Sequence, residues 1–371
     1  MEASVKLGRI RGIPIGLHWS WFLVFVLVTS SLAGGYFVAE YPDLSRTAYW
    51  ILGAITSLLF FGSVLAHEFG HALVALRDRV PVRSINLFFF GGVAQIEQEP
   101  RSAASELRIA IAGPLVSLSL AGLFGLLYWL DQGVSYLAAP SLWLARINLG
   151  LALFNLIPGF PLDGGRIFRA LVWAWTKNFG RATRIAAAAG QVIAYGFIAY
   201  GAFTALTGNV INGLWLAFIG WFLQNAASSV LSQARMEHLL GETPVARVMS
   251  QDYGRISSTA SLDELVEDWL RRGGASAYFV IDGNRLVGMV SAGEVSAVPR
   301  SDWMFTRVAQ IMTPAWRLLV VQPENDLLAA LRSMERAGVT MVPVVSGEML
   351  AGALSREQAL RYLRLHPQAG I

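Results

Sequence analysis

Six apolar runs, at about residues 17–37, 49–76, 103–130, 142–157, 183–206 and 211–231, constrain this chain more than any other feature. A bilayer's hydrocarbon core takes about 20 apolar residues of helix, and backbone inside it must bond to itself, so such runs can only be helices packed in lipid. Composition agrees. Charged residues make up 15% of the chain, against about 25% in ordinary soluble domains. The deficit is local, because residues 236–371 read as a soluble α/β protein. The expected fold class is a polytopic α-helical membrane protein with six transmembrane helices and a membrane-associated β-hairpin, followed by a soluble α/β module. The domains are expected at 1–236 and 244–371, with the division falling within 237–243.

The second run contains His67, Glu68 and His71. Positions i and i+4 lie one above the other on a helix, so the two imidazoles can meet one cation with Glu68 beside them. This is the H-E-x-x-H arrangement, in which two histidines bind zinc and the glutamate is a general base toward water. Ionisable side chains at membrane depth are expensive unless paired, hydrated or bound to an ion. The fourth run ends in Asn155-Leu-Ile-Pro-Gly-Phe-Pro-Leu-Asp163-Gly-Gly-Arg166, with prolines that must break its helix. If the six spans alternate, Asp163 lies at the same depth as the histidine pair and can complete two nitrogens plus one carboxylate. As a plain turn residue Asp163 would need no such partner.

Orientation follows from the basic residues. Lys6, Arg9 and Arg11, then Arg77, Arg79, Arg83, Arg101 and Arg108, then Arg166, Arg169, Lys177, Arg181 and Arg184 fall on one side of a six-span reading. That side should be cytoplasmic, and both termini with it, in the cell membrane. Arg146, inside the fourth run, fits poorly. The first run lacks a following small-residue cleavage site and is expected to be retained. The net charge of +4 belongs to this topology and not to nucleic acid. With no cysteine, disulfides and thiolate ligands are excluded. His18 beside Trp19 and Trp21 reads as interfacial. Residues 82–97 hold two β-prone stretches around Gly91-Gly92, a hairpin that could offer an edge strand, through Phe90, Gly91, Gly92 and Val93, to an extended segment of another protein.

The tail repeats itself. Residues 245–250, VARVMS, match 308–313, VAQIMT, and 279–288 match 343–352. Two units, at about 244–300 and 307–365, each read strand, helix, strand, strand, helix.

With HEFGH at 67–71, FFFGGVAQIE in the hairpin, AGP at 112–114 and NLIPGFPLDGGR at 155–166, the first part resembles the site-2 protease family of intramembrane zinc metalloproteases. The tail resembles a tandem pair of cystathionine-beta-synthase (CBS) domains. The first resemblance implies one Zn2+ on His67, His71 and Asp163, Glu68 as base, and Asn155 as an oxyanion or substrate-positioning residue. It also implies single-span membrane substrates such as anti-sigma factors, cut in or near their transmembrane segments. Ser117 stands where many relatives carry Asn. The second resemblance implies ATP, ADP or AMP at Ser291, Glu294 and Ser355, a homodimer through the CBS pair, and modulation of cleavage. In place of the usual ribose-binding aspartates the tail has Glu294 and Gln358. A competing reading from another class is a metal transporter or channel regulated by CBS domains, which would not require Glu68 beside its ligands.

Overall fold

The computed structural model describes residues 4–365 apart from 90, 97, 132 and 272–276, and apart from the side chains of His238, Leu363 and Leu365. The chain forms two compact units, Met1–Ser232 and Gln233–Ile371.

The first unit opens with a hairpin, β1 (Val5–Ile10) and β2 (Ile13–Leu17), turned at Arg11 and Gly12, both at positive φ. Next come α1 (Ser20–Ser31), a π-helical turn (Leu32–Tyr36) and α2 (Phe37–Glu40), together one apolar helical stretch. The long helix α3 (Arg46–Arg77) carries HEFGH, and its N-cap Ser45 accepts from the Ala48 amide. β3 (Val82–Phe88) and β4 (Gly91–Ile96) follow, then α4 (Ala103–Leu130), α5 (Ser135–Asn155), α6 (Asp163–Thr176), α7 (Phe179–Leu206) and α8 (Val210–Glu242). Among the described residues six helical stretches are long and apolar enough to cross a membrane: Ser20–Glu40, Arg46–Arg77, Ala103–Leu130, Ser135–Asn155, Phe179–Leu206 and Val210–Glu242. These are the six expected spans, the fourth and fifth starting several residues earlier than the apolar runs suggested.

Two elements went unanticipated. The β1–β2 hairpin joins the expected β3–β4 hairpin in one four-stranded sheet, ordered β1-β2-β3-β4, through a parallel β2–β3 pairing at Ile15↔Ile85 to Leu17↔Leu87. Its buried face packs Ile13 and Ile85 on Ala72, Leu65 and Phe69 of α3, so the sheet is clamped to the helix that bears the histidines. The other is α6, a short helix whose buried residues are Gly164, Gly165, Arg169 and Ala170. Arg169, one of the basic residues on which the orientation rests, is packed inside the unit and only 5% exposed. Its guanidinium pairs with Glu106 of α4, which is fully buried, and with Glu99 at 3.2 Å, and stacks 5.1 Å and 4.6 Å from the ring centroids of Phe160 and Phe179. A buried pair of this kind fixes geometry more than it adds stability, since removing one partner leaves an unopposed buried charge worth about 3–5 kcal/mol. Here it holds α6, and so Asp163, against α4.

In the second unit 3-10 turns at Val245–Arg247, Arg300–Asp302 and Ala315–Arg317 punctuate the two repeats. The first repeat has β5 (Gly254–Ile256), α9 (Leu262–Arg271), β6 (Ala277–Asp282), β7 (Arg285–Ser291) and α10 (Ala292–Ser296). The second has α11 (Val308–Ile311), β8 (Thr313–Pro314), α12 (Leu327–Ala337), β9 (Met341–Ser346), β10 (Met349–Ser355) and α13 (Arg356–Leu365). All six strands lie in one sheet, with β7 and β10 meeting at Arg285↔Met349. There are two cores, Leu262, Leu265, Tyr278, Val280 and Val290 in one and Leu327, Met334, Val342, Val344 and Leu354 in the other, and the repeats exchange their leading segments between them: Val308 packs into the first core and Val245 and Val248 into the second.

Candidate metal centre

Helical spacing on α3 places His67 and His71 on one face, 3% and 4% exposed. Asp163, the first residue of α6, brings a carboxylate to them from a separate element. Asp163 Oδ2 lies 3.1 Å from each Nε2, and the two Nε2 atoms are 3.2 Å apart. The three donor atoms thus form a near-equilateral triangle. Zinc bonds of about 2.0–2.2 Å would set neighbouring corners of a tetrahedron about 3.3–3.6 Å apart, slightly wider than this triangle. The triangle fits one face of that figure and leaves its fourth corner open.

Hydrogen bonding on the far side of each ring says the same. His71 Nδ1 is 2.7 Å from the carbonyl oxygen of Ile109, which can only accept, so Nδ1–H is the donor and a neutral ring turns its Nε2 lone pair inward. His67 Nδ1 is 2.9 Å from the Ser117 hydroxyl, which plays either role. The His71 lone pair, the Nε2 of His67 and a carboxylate oxygen then converge on one point, the donor set of a cation site. Outer partners of this sort orient metal-binding imidazoles generally. Ser117, whose role the sequence left open, is therefore placed against His67, and Ile109 and Ser117 both belong to α4.

Gly113 of the same helix completes the pocket. A Cβ there would sit 2.1 Å from His71 Nε2 and 2.6 Å from His67 Nε2, so only glycine lets α4 pass this close. The AGP motif was visible in the sequence, but its reason was not.

Glu68 points to the sheet. Its Oε2 accepts from the Ala94 amide of β4 at 2.9 Å, and a Cβ at Gly92 would meet its Cγ at 2.5 Å. β4 is the outermost strand, and the Ala94 amide faces away from β3, toward Glu68. Ala94→Pro removes that donor. The expected result is a lowered kcat with zinc content retained, whereas Ala94→Ser keeps the amide and most of the activity. Equal losses in both variants, measured at matched zinc content, would mean that the amide does not position Glu68.

The remaining candidates fall outside this cluster. Asn155 is the last residue of α5, half-buried, with no side-chain hydrogen bond among the described residues. Gly91, at φ +124°, and Gly92 and Val93 lie on β4 as the hairpin reading requires, while Phe90 lies outside the described residues. His18 bonds the Ser20 hydroxyl at 2.8 Å just before α1 and stays apart from the metal centre. In the second unit, Ser291 and Glu294 close a capping box at the start of α10, with Glu294 also accepting from Thr313 at 3.1 Å. Partial burial would raise the Glu294 pKa, but the bonds donated by the Ser291 hydroxyl and amide and by Thr313 prevail and hold it below the usual range. Ser355 and Gln358 make the same reciprocal pair at α13, at 2.9 Å and 3.2 Å.

Comparison with known proteins identifies the family. The model of peptidase family M50 matches residues 55–139 and 131–197, and that of the CBS domain matches 245–299 and 308–365. The protein sll0528 of Synechocystis is 36% identical over 370 residues, covering 98% of this chain and 96% of its own length. Zinc metalloprotease MJ0392 of Methanocaldococcus jannaschii is 30% identical over 368 residues, covering 98% of this chain and 97% of its own. Among solved structures, the site-2 protease from M. jannaschii is 32% identical with a TM-score of 0.42, covering 61% of this chain and 94% of that one. The chain therefore belongs to peptidase family M50, the site-2 zinc metalloproteases, as a multi-pass membrane member that carries a tandem CBS pair.

Proposed function

We propose that this chain is an intramembrane endopeptidase that hydrolyses peptide bonds in or near the transmembrane segments of single-span, membrane-tethered regulatory proteins, of which anti-sigma factors are one kind. The observation that carries the reading is the convergence of His67, His71 and Asp163 beside a glutamate held by an outermost β-strand. His67, His71 and Asp163 would hold the metal, which when bound would supply a Lewis acid for the scissile carbonyl and for water. Glu68, oriented by the Ala94 amide, takes the proton from water and returns it to the leaving amine. A helical substrate hides its carbonyls in its own hydrogen bonds and must unwind first. Gly92, two residues from Ala94, presents its backbone on the same outer edge of β4 and can pair with the extended segment. Asn155, unbonded at the end of α5, is left to position that segment.

A transport reading gains nothing from this geometry, because it gives Glu68 and its tether no task. The test of the proteolytic reading is cleavage of purified single-span substrates by the full chain in liposomes. Cleavage should stop on zinc chelation and return with zinc, and unchanged cleavage under full metal removal would refute it.

The grouping of basic residues supports a topology with both termini and the loop spanning residues 77–108 in the cytoplasm. The native chain has no cysteine, so single cysteines at Ser4 and Ser102 report orientation directly. Both should resist impermeant reagents in intact cells, and labelling from outside would reverse the topology. We assign the CBS pair a modulating role, with a homodimer formed through it. An adenosine nucleotide would have to draw Glu294 away from Ser291 and Thr313 to reach its ribose. A nucleotide titration of the same cleavage reaction decides this, and an unchanged rate at saturating nucleotide would exclude nucleotide control.

A further inference from the structure

The strand β1 is exposed at all six of its residues, although β2 beside it is almost wholly buried. Among the described residues β1 pairs with β2 alone, so it is the far edge of the sheet whose other edge, β4, holds Glu68. Cross-strand partners share a face. Val5, Gly8 and Ile10 oppose Leu17, Ile15 and Ile13, the residues that face the protein core, whereas Lys6 and Arg9 oppose Gly16 and Pro14 on the other face. The register shift between Lys6 and Gly8 makes this sorting possible, because an extra residue at Leu7 resets the alternation. Without it, Lys6 and Arg9 would fall on opposite faces. β1 is thus an amphipathic strand. Its apolar face continues the buried face of the sheet but is itself open, with Val5 42% and Ile10 49% exposed, and Leu7 at the bulge is 57% exposed. Arg11 at the turn adds a third exposed cation, and Trp19, 64% exposed, stands at the start of the first membrane helix.

We propose that β1 is a lipid-docking strand, lying in the interface of the bilayer with Val5, Leu7 and Ile10 toward the acyl chains and Lys6, Arg9 and Arg11 on anionic headgroups. Two alternatives would cover an open apolar edge: a further β-strand, or lipid. The bulge and interleaved cations work against a further strand, since both are devices that block edge pairing. They suit lipid, because cations complement an anionic leaflet at about 1 kcal/mol each and aliphatic residues bury in the headgroup boundary. Continuity decides the depth, because β1 is hydrogen-bonded to the strand that leads within a few residues into the first span, at an aromatic residue of the kind found at membrane interfaces.

The cysteine-free chain allows a direct test. A polarity-sensitive fluorophore is placed on Ile10→Cys in the full, zinc-loaded chain, with Val5→Cys as a second site on the same face. Each is reconstituted in phosphatidylcholine vesicles with or without about 30% phosphatidylglycerol, quenched in turn by spin-labelled lipid and by aqueous iodide. Lipid should quench both probes, and more strongly with phosphatidylglycerol present. Lys6→Gln and Arg9→Gln should each lower the docked-to-undocked ratio about fivefold in anionic vesicles only. Quenching by iodide in both lipids, lipid quenching indifferent to phosphatidylglycerol, or cysteine cross-linking between two chains at Ile10 would each overturn the proposal.

Discussion

Glu68→Gln is expected to lower kcat by about 10²–10⁴-fold, the usual contribution of a general base, while the purified protein keeps its zinc. The amide is the same size as the carboxylate, so β4 can still pack against it, and a carboxamide oxygen can still accept from the Ala94 amide 2.9 Å away. What it loses is the capacity to take a proton. The three converging donor atoms, 3.1–3.2 Å from one another, lie on other side chains and are untouched. The contrasting variants are His67→Ala and Asp163→Ala, which remove a donor atom from that triangle and should lose zinc and activity together. Measuring bound zinc beside the cleavage rate separates the two classes. Turnover near the wild-type rate by Glu68→Gln would show that another group accepts the proton.

How much of this site the sequence reveals depends on how far apart its parts lie. His67 and His71 are one helical turn apart, so their convergence follows from helix geometry alone. Asp163 could be placed only through the alternation of spans, which gives depth but neither distance nor direction. The supporting shell is beyond such reasoning. Ile109, Gly113 and Ser117 come from a helix 38 to 50 residues further on, and their own sequence is that of any apolar span with small residues. The packing of Arg169 is hidden for the same reason. By composition it is one of several cations between hydrophobic runs, and only packing reveals Glu106 and two aromatic rings around it. The β1–β2 hairpin is too short to show a clear period, and its parallel pairing with β3 joins residues about 70 positions apart. The tail was legible because it repeats, and a repeat carries its own internal comparison.

Gly113→Ala should abolish zinc binding outright, although Ala is the better helix former by about 1 kcal/mol. The added methyl carbon would stand 2.1 Å from His71 Nε2 and 2.6 Å from His67 Nε2, inside any van der Waals contact. Neither ring can retreat cheaply, since His71 is tied to the Ile109 carbonyl and His67 to Ser117 on the same helix as the glycine. Backing α4 away would open the tight packing of α3 on α4 at Gly70, where a Cβ would lie 3.1 Å from the Ala112 carbonyl oxygen, and would leave a void between the helices. The methyl therefore displaces the imidazoles from the metal. Gly122 and Gly125 of α4 provide the control, for nothing lies within 4 Å of a Cβ at either. Alanine there should leave zinc content and cleavage unchanged and should raise thermal stability slightly, as helix propensity predicts. The measurement is zinc per chain after dialysis against a weak chelator, beside the melting temperature of each variant. One zinc retained by Gly113→Ala, with activity, would mean that the imidazoles have freedom this packing denies them. Loss of zinc in Gly122→Ala as well would mean that α4 tolerates no added methyl, and the argument from close approach at Gly113 would fail.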